Sequence, residues 1–258
     1  MPAILYNLLS GLRGQMRSLD VASQNITNSH TPGYRKERVQ FHDVMYQAML
    51  MSHDRSGRPQ PAPIGNGAEL WPAELVQSQG SLEQTGSQFD LAIQGDGFFQ
   101  FRQPDGALVY SRNGQLQLDD QRRLVNADGL LLDPPIQLPA DSSDWTVAAD
   151  GTVSVLQPDG TQRQVGQLQI VRFPNASALQ QTGAFTLQAT ARSGQPIQGA
   201  PGSNGLGGIV QGFVEASNVD FSEEMTNLLQ AQRTYEIGLK ALQTIDDAIG
   251  MANNIHHQ

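Results

Sequence analysis

The sequence contains no cysteine among its 258 residues, which excludes disulfide bonds and metal sites built from thiolates. It also lacks any run of about 18 apolar residues, so no segment is predicted to span a membrane. The first 19 residues, MPAILYNLLSGLRGQMRSL, have neither a basic start nor a small-residue cleavage site. We therefore expect no cleaved Sec signal peptide.

Basic residues are scarce, with 16 Lys and Arg against 25 Asp and Glu, and their distribution is uneven. Residues 1–58 carry seven basic and four acidic side chains, whereas the remainder carries nine and 21. An acidic body argues against a nucleic-acid-binding protein, whose affinity depends on a basic face. We interpret the cluster of Arg35, Lys36 and Arg38 as a solvated segment after a helix rather than a phosphate-binding patch.

Motifs that carry catalysis or bind a cofactor are missing as well. The glycine-rich stretches 95–97 and 202–208 are not followed by the residues of a phosphate-binding loop, and there is no G-x-S-x-G elbow. The five histidines show no metal-ligand spacing. A carboxylate pair formed by Asp119 or Asp120 with Asp133 stays open as a weak alternative. We predict no enzyme, no cofactor and no metal site.

An amphipathic helix is predicted from about Ala3 to Asn28, and the Thr-Pro-Gly sequence at 31–33 ends it. Its apolar residues recur at alternating steps of four and three, which is typical of a coiled-coil seam. This seam consists of Leu5, Leu9, Leu12, Met16, Leu19, Ser23 and Ile26.

A second long helix is predicted near the C-terminus, where Asp220 can cap the helix with Glu223 three residues later. Two stripes of mainly apolar residues run along this helix, which indicates that the helix packs on more than one partner. The first stripe is Met225, Leu228, Gln232, Tyr235, Leu239, Leu242, Asp246 and Ile249; the second is Ala241, Ile245, Ala248, Ala252 and Ile255.

Between the helices, short alternating segments are separated by Asp-Gly and Asn-Gly pairs, which are typical of hairpin turns. The predicted fold class is therefore α+β, with an antiparallel β-rich central domain and long terminal helices that form a coiled-coil assembly core. The predicted domains are a helix over 1–30, an extended connector arm over 31–69, the β domain over 70–215 and a helix over 216–258.

The terminal helices carry more apolar surface than one pairing covers, which favours assembly with other copies. Three alternatives remain: a monomer whose helices pack on its own sheet, an acidic β-domain enzyme, and a monomeric binding module.

Both ends of the chain carry specific motifs. The N-terminal motif is Asn25, Asn28, Thr31, Pro32, Gly33 and Tyr34; the C-terminal motif is Ser217, Asn218, Val219, Glu224, Met225, Arg233, Tyr235, Glu236 and Lys240. Together with SQGSLEQTGSQFDLAIQGDGFFQF and YSRNGQLQLD in the centre, these motifs resemble the flagellar axial family of rod and hook proteins. The resemblance covers essentially the whole chain.

This resemblance implies a structural subunit of the flagellar rod, most similar to distal rod subunits, that assembles into a helical tube and transmits torque to the hook. A proximal rod or hook-type subunit, or one from a lateral flagellar system, is the alternative. The implied partners are copies of itself, proximal rod proteins, hook protein, a rod cap and the outer P and L rings. The implied location is the periplasm-spanning rod, reached through the flagellar type III apparatus.

We predict that the seam and motif residues lie at interfaces between subunits, and that Arg35, Lys36 and Arg38 face acidic bodies of adjacent copies. The predicted interface residues are Leu5, Leu9, Leu12, Met16, Leu19, Asn25, Ile26, Asn28, Pro32, Gly33, Tyr34, Asn218, Met225, Leu228, Arg233, Tyr235, Leu239, Leu242 and Ile249.

Overall fold

The structure is a computed structural model that describes residues 2–43, 47–53, 59–64, 68–70, 73–140, 144–158, 160–183 and 185–255. Helix α1 spans Pro2–Thr27 and helix α2 spans Phe221–Ile255. The described strands are β1 Glu37–Arg38, β2 Phe41–Asp43, β3 Gln47–His53, β4 Pro59–Ile64, β5 Ala68–Leu70, β6 Glu74–Leu75, β7 Leu82–Gln84, β8 Leu91–Gln94, β9 Phe98–Arg102, β10 Leu108–Ser111, β11 Gln117–Leu118, β12 Leu124–Val125, β13 Leu131–Leu132, β14 Asp144–Val147, β15 Thr152–Leu156, β16 Gln162–Gln167, β17 Ile170–Arg172, β18 Gln180–Gln181, β19 Leu187–Gln188, β20 Ile197–Gly199, β21 Gly208–Gln211 and β22 Phe213–Glu215. The predicted α+β class, with a β-rich centre between two terminal helices, is confirmed.

The chain divides into two compact units. The helical unit comprises residues 1–27, 37–74 and 220–258, and the β unit comprises 28–36 and 75–219. The helical unit therefore combines both ends of the chain with a segment from the region predicted as a connector arm.

In the helical unit, α1 and α2 pack antiparallel. Asn25 near the end of α1 contacts Glu224 near the start of α2, and Leu12 lies against Gly238. A methyl group on Gly238 would lie 2.7 Å from Leu12 Cδ2, so a larger residue there would require the Leu12 side chain to move. Asp220 caps α2 as predicted, because its Oδ1 accepts hydrogen bonds from the backbone N–H groups of Ser222 and Glu223.

The segment after α1 also contributes strands to this unit. Strand β2 pairs with β5, and β3 pairs with β4, both antiparallel. The sequence predicts an extended connector arm over 31–69, and the described part of this range contains hydrogen-bonded ladders. An extended backbone has N–H and C=O groups that need partners, and strand pairing supplies them.

In the β unit, strand β9 is central. It pairs with β10 along one edge, and with β13 and β17 at successive positions of the other edge. Its residues Phe99 and Phe101 are fully buried in the larger apolar core, and Phe98 enters a second core with Tyr110 and Phe173. Because successive side chains of a strand point to opposite faces, β9 separates the two cores.

Turn chemistry within the β unit follows the sequence closely. Gly106, Gly129, Gly151 and Gly160 all have positive φ, as predicted for glycine after Asp in tight turns. Gly114 differs: a Cβ there would lie 1.8 Å from the Leu91 carbonyl oxygen, so this glycine permits close strand approach instead.

Candidate functional site

The predicted interface side chains of α1 fall on more than one side of the helix. Leu12 is buried against α2, whereas Leu9 and Met16 are 46% and 51% exposed. Leu19 and Ile26 are half-buried, and the side chain of Leu5 lies outside the described residues. The stripe is split because α1 packs on β1 and β5 as well as on α2. Leu9 and Met16 therefore retain apolar surface that their own unit does not cover.

Helix α2 shows the same division. Met225, Leu228, Tyr235 and Leu242 are half-buried, Arg233 and Leu239 are exposed, and the side chain of Ile249 lies outside the described residues. Ala231, which neither predicted stripe contains, is buried at 7% exposure. Large apolar side chains remain exposed along the helix: Phe221, Leu229, Ile237, Leu239 and Met251.

Asn25 connects three segments of the helical unit. Its Nδ2 donates to the carbonyl oxygen of Glu37 and to Oε2 of Glu224, while its Oδ1 accepts from the Glu37 backbone N–H at 3.0 Å. The side chain is 1% exposed, so these bonds satisfy a group that has little access to water. Asn25 thus joins the end of α1 to strand β1 and the first turn of α2.

In the β unit, the Thr-Pro-Gly turn leads into a buried segment. Asn28 accepts hydrogen bonds from Thr31 through its backbone and side-chain oxygens. Gly33 has a φ of 72°, and a Cβ there would lie 2.3 Å from the backbone nitrogen of Asn113. Tyr34, next along, is buried, and Pro32 is half-buried. The turn therefore requires glycine for both its backbone conformation and its closeness to Asn113.

A buried ion cluster lies directly after this turn. Glu215 forms a salt bridge with Arg35 at 2.8 Å and another with Arg112 at 2.6 Å. All three side chains are at most 5% exposed. Arg35 also donates to the Ser78 carbonyl oxygen, and Arg112 donates to the Gly95 carbonyl oxygen at 2.9 Å. The cluster ties together segments that are far apart in the sequence.

Burial dominates the electrostatics of this cluster. It lowers the pKa of Arg35 to about 10, although Glu215 acts in the opposite direction, and it lowers the pKa of Arg112 too. Both arginines stay charged near neutral pH. The expectation of a solvated Arg35 is therefore wrong, because Arg35 is buried and forms a salt bridge with Glu215 of its own chain.

Arg112 and Glu215 are not among the residues predicted from the sequence. They are 103 positions apart, so no local periodicity pairs them. The available signal is their place in the sequence: Arg112 lies within YSRNGQLQLD, which carries the family resemblance, and Glu215 lies two residues before the C-terminal motif that begins at Ser217.

Asn218, a predicted interface residue, is half-buried and binds two other backbone segments of the β unit, at Lys36 and at residues 76–78. Its Oδ1 accepts from the Lys36 N–H at 2.7 Å, and its Nδ2 donates to the carbonyl oxygens of Val76 and Ser78, both at 2.9 Å. Val76 in turn donates its N–H to the Lys36 carbonyl oxygen. The side-chain amide of Asn218 therefore joins its own segment to Lys36 and to residues 76–78.

Two of the three carboxylates considered for catalysis form salt bridges within the β unit. Asp119 forms a salt bridge with Arg123, and Asp133 forms one with Arg102. Within the part of the chain that the structure describes, no three histidine or acidic side chains gather as a metal site. Over the same residues, neither helix combines the length and apolar character of a membrane span.

Two protein-family models and several known proteins are similar in sequence to this chain. Residues 92–155 match the family described as "Flagellar hook protein FlgE/F/G D1 domain", and residues 210–255 match "Flagellar basal body rod FlgEFG protein C-terminal". The flagellar basal-body rod protein FlgG of Borreliella burgdorferi is 36% identical over 98% of this chain and 98% of its own length. The FlgG protein of Buchnera aphidicola subsp. Schizaphis graminum is 39% identical over 93% of this chain and 94% of its own length. The chain belongs to the family of the flagellar basal-body rod protein FlgG.

Membership of this family confirms the resemblance predicted from the two ends of the sequence. It also confirms the predicted function as a structural rod subunit of the flagellar basal body. The rod protein FlgF of Escherichia coli is more distant, at 26% identity over 97% of both chains. The Arg35–Glu215–Arg112 cluster, Asn25 and Asn218 thus form contacts that hold segments of a structural protein together.

Proposed function

We propose that this chain is a subunit of the distal part of the rod and assembles with copies of itself into a helical tube that transmits torque from motor to hook. The observation that carries the proposal is the exposed apolar surface of the two helices. Met16 is 51% exposed, and Ile237 on α2 is 67% exposed. Both helices carry several exposed apolar side chains, and exposed apolar surface is typical of protein interaction sites.

The energetic argument favours burial of these side chains between subunits. Covering one Leu, Ile or Met side chain contributes about 1.5–3 kcal/mol. Several such residues per helix, repeated in every copy, exceed the cost of ordering the side chains. The two helices would then form the coiled-coil core of the tube, in which the exposed predicted interface residues would contact neighbouring copies: Leu9, Met16, Arg233 and Leu239.

The partners and route follow from the same proposal. We infer contacts with proximal rod proteins below, hook protein above, a rod cap during growth, and the P and L rings around the rod. We further infer export through the flagellar type III apparatus into the periplasm-spanning part of the basal body. The likeness to FlgF supports a proximal rod position as the second candidate, but its 26% identity is lower than the 36% and 39% for the two FlgG relatives.

The experiment compares two exposed apolar residues in different units. Ile237→Asn places an amide on the proposed interface of α2, whereas Leu156→Asn changes a 42% exposed leucine on β15 and serves as the control. Each variant is expressed in a strain lacking its own copy of the gene, and basal bodies are isolated and imaged. We expect Ile237→Asn to abolish rods beyond a proximal stub and to abolish motility, while Leu156→Asn keeps both.

The matched readout is the folding of each purified variant in dilute solution, followed by circular dichroism. We expect both variants to keep the stability of the unchanged chain within about 0.5 kcal/mol, since both sites are exposed. Normal rods with Ile237→Asn would contradict the proposed interface. Rods that are complete in the absence of the chain would contradict the proposed function itself.

A further inference from the structure

The β unit contains a cavity of about 350 Å³ next to the buried ion cluster. Three arginines line it, Arg35, Arg112 and Arg172, and Gln77 joins them. Phe98 and Phe173 contribute an apolar wall. The space is sufficient for a small organic group with ordered water, since a water molecule takes up about 30 Å³. A cavity with this lining combines hydrogen-bond donors with apolar contact surface.

The polar side of the cavity has donors that lack acceptors. Nε of Arg35, Nε of Arg172 and Nε2 of Gln77 are buried and have no hydrogen-bond partner within the described chain. The side chain of Arg35 is only 5% exposed. Buried donors without acceptors are rare in folded proteins and cost free energy. All three unpaired groups are N–H donors, so the group that would satisfy them is an acceptor.

The charges around the cavity point in the same direction. Glu215 already accepts from both Arg35 and Arg112, and its Oε1 also accepts from the Gly80 N–H. Asp96 lines the cavity and is exposed. Arg172 forms no salt bridge with any described residue, so the three guanidinium groups exceed the two carboxylates by one positive charge. One further anion would balance the site.

From this geometry we infer that the cavity binds a carboxylate carried on an aliphatic stem, namely an acidic side chain of a neighbouring copy of this chain. The guanidinium group is a planar fork that matches a carboxylate. Phe98 and Phe173 offer apolar contact to a stem, which inorganic anions lack. Every copy supplies the occupant, because residues 59–258 carry 21 acidic against nine basic side chains. This inference rests on the proposed assembly of copies.

The first arm of the test uses the full chain in dilute solution. N-acetylglutamate α-amide is the probe, and its uncharged analogue N-acetylglutaminamide and sodium sulfate are the comparison ligands. Binding is followed by the Nε–Hε signals of the arginine side chains in nuclear magnetic resonance spectra. We expect the charged probe to shift the signals of Arg172 and Arg35 with saturation in the millimolar range, and the uncharged analogue to leave them in place.

Variants assign the site. Arg172→Gln removes the half-buried guanidinium and should weaken probe binding by about ten-fold or more, since a hydrogen bond to a charged group is lost. Arg163→Gln changes an exposed arginine on β16 of the same unit and should leave binding unchanged. Equal binding of the uncharged analogue or of sulfate, or unchanged binding by Arg172→Gln, would overturn the inference.

The second arm tests the source of the carboxylate by following filament formation of the concentrated chain. We expect saturating probe, and also Arg172→Gln, to slow assembly, whereas Arg163→Gln assembles normally. Assembly that proceeds unchanged with saturating probe would overturn a neighbouring copy as the source. No probe binding by a chain that still forms filaments would overturn the cavity alone. Probe binding by a chain that never assembles would overturn the proposed function instead.

Discussion

The two units of this chain differ in how much apolar surface they bury. In the β unit, the strand residues Phe99 and Phe101 have no exposed surface and belong to a large continuous core. In the helical unit, few of the described apolar side chains are buried: Leu12, Val21, Ala22 and Ala231. A unit with a small core gains little from its own packing. From this comparison we expect the β unit to be the more stable of the two, and the helical unit to gain stability from added contacts.

The largest expected effect concerns the buried cluster of the β unit. Glu215→Gln removes the carboxylate that balances Arg35 and Arg112 and leaves two buried guanidinium groups facing a neutral amide. We expect the free energy of unfolding to fall by about 3–5 kcal/mol. Urea denaturation followed by tryptophan fluorescence measures it, because Trp145 is buried in this unit.

The control for that change is Glu83→Gln on β7, which alters an exposed carboxylate in the same unit. It should change the free energy of unfolding by no more than about 0.5 kcal/mol. Equal effects of the two substitutions would mean that the salt bridges of Glu215 contribute nothing to the stability of the β unit.

A smaller effect is expected in the helical unit. Asn25→Ala removes the amide that bonds Glu37 and Glu224, leaving their groups without these partners, and should cost about 1–3 kcal/mol. We expect limited proteolysis of the dilute chain to cleave within α1 and α2 faster, while a fragment of about 75–219 stays resistant. Gln230→Ala, an exposed change on α2, is the matched control. Faster cleavage inside 75–219 would contradict the separation of the two units.

The smallest effect is a pH dependence within the helical unit. Burial raises the pKa of Glu37 above its ordinary 4.5, against the opposing influence of Arg17. A raised folded-state pKa means that the protonated group fits the fold better, so its contribution is present below pH 4.5 and is lost as the pH rises through the folded-state pKa. Glu37→Gln should therefore raise the melting temperature relative to the unchanged chain at pH 7, with a smaller difference at pH 4.

The comparison for that prediction is Glu236→Gln, at an exposed position of α2. Because this site is exposed, we expect the substitution to change the melting temperature little. A Glu37→Gln difference that grows toward pH 4 would show that the sign assigned to the shift is wrong.

Local features of the fold could be predicted from the sequence, and long-range ones could not. The cap at Asp220 and the turn glycines depend on residues within four positions of one another, so their chemistry is visible in a short segment. The pairing of Arg112 with Glu215 requires the chain after β10 to meet the end of β22 in space, which no periodicity records. Arg35 illustrates the consequence: a basic cluster resembles a solvated segment until its buried acidic partner is known.

The helix seam was predictable only in part for a related reason. A heptad pattern identifies apolar positions but not the neighbour that each one meets. Leu12 meets α2 in the same chain, whereas Leu9 and Met16 remain exposed. The coiled-coil assembly core therefore stays a prediction. The predicted domain boundaries stay predictions as well.

The network around Asn218 has a mechanical consequence. Three of the four places where the chain passes between the two units lie within two residues of Lys36, Val76 and Asn218, and the Asn218 amide joins these three residues. The β unit is thus an insertion whose entrance and exit are fastened to each other. Tension along the chain at these points would act on the fastening before it stretched the sheet. Evolution could likewise lengthen or shorten the inserted body without changing the distance between its ends.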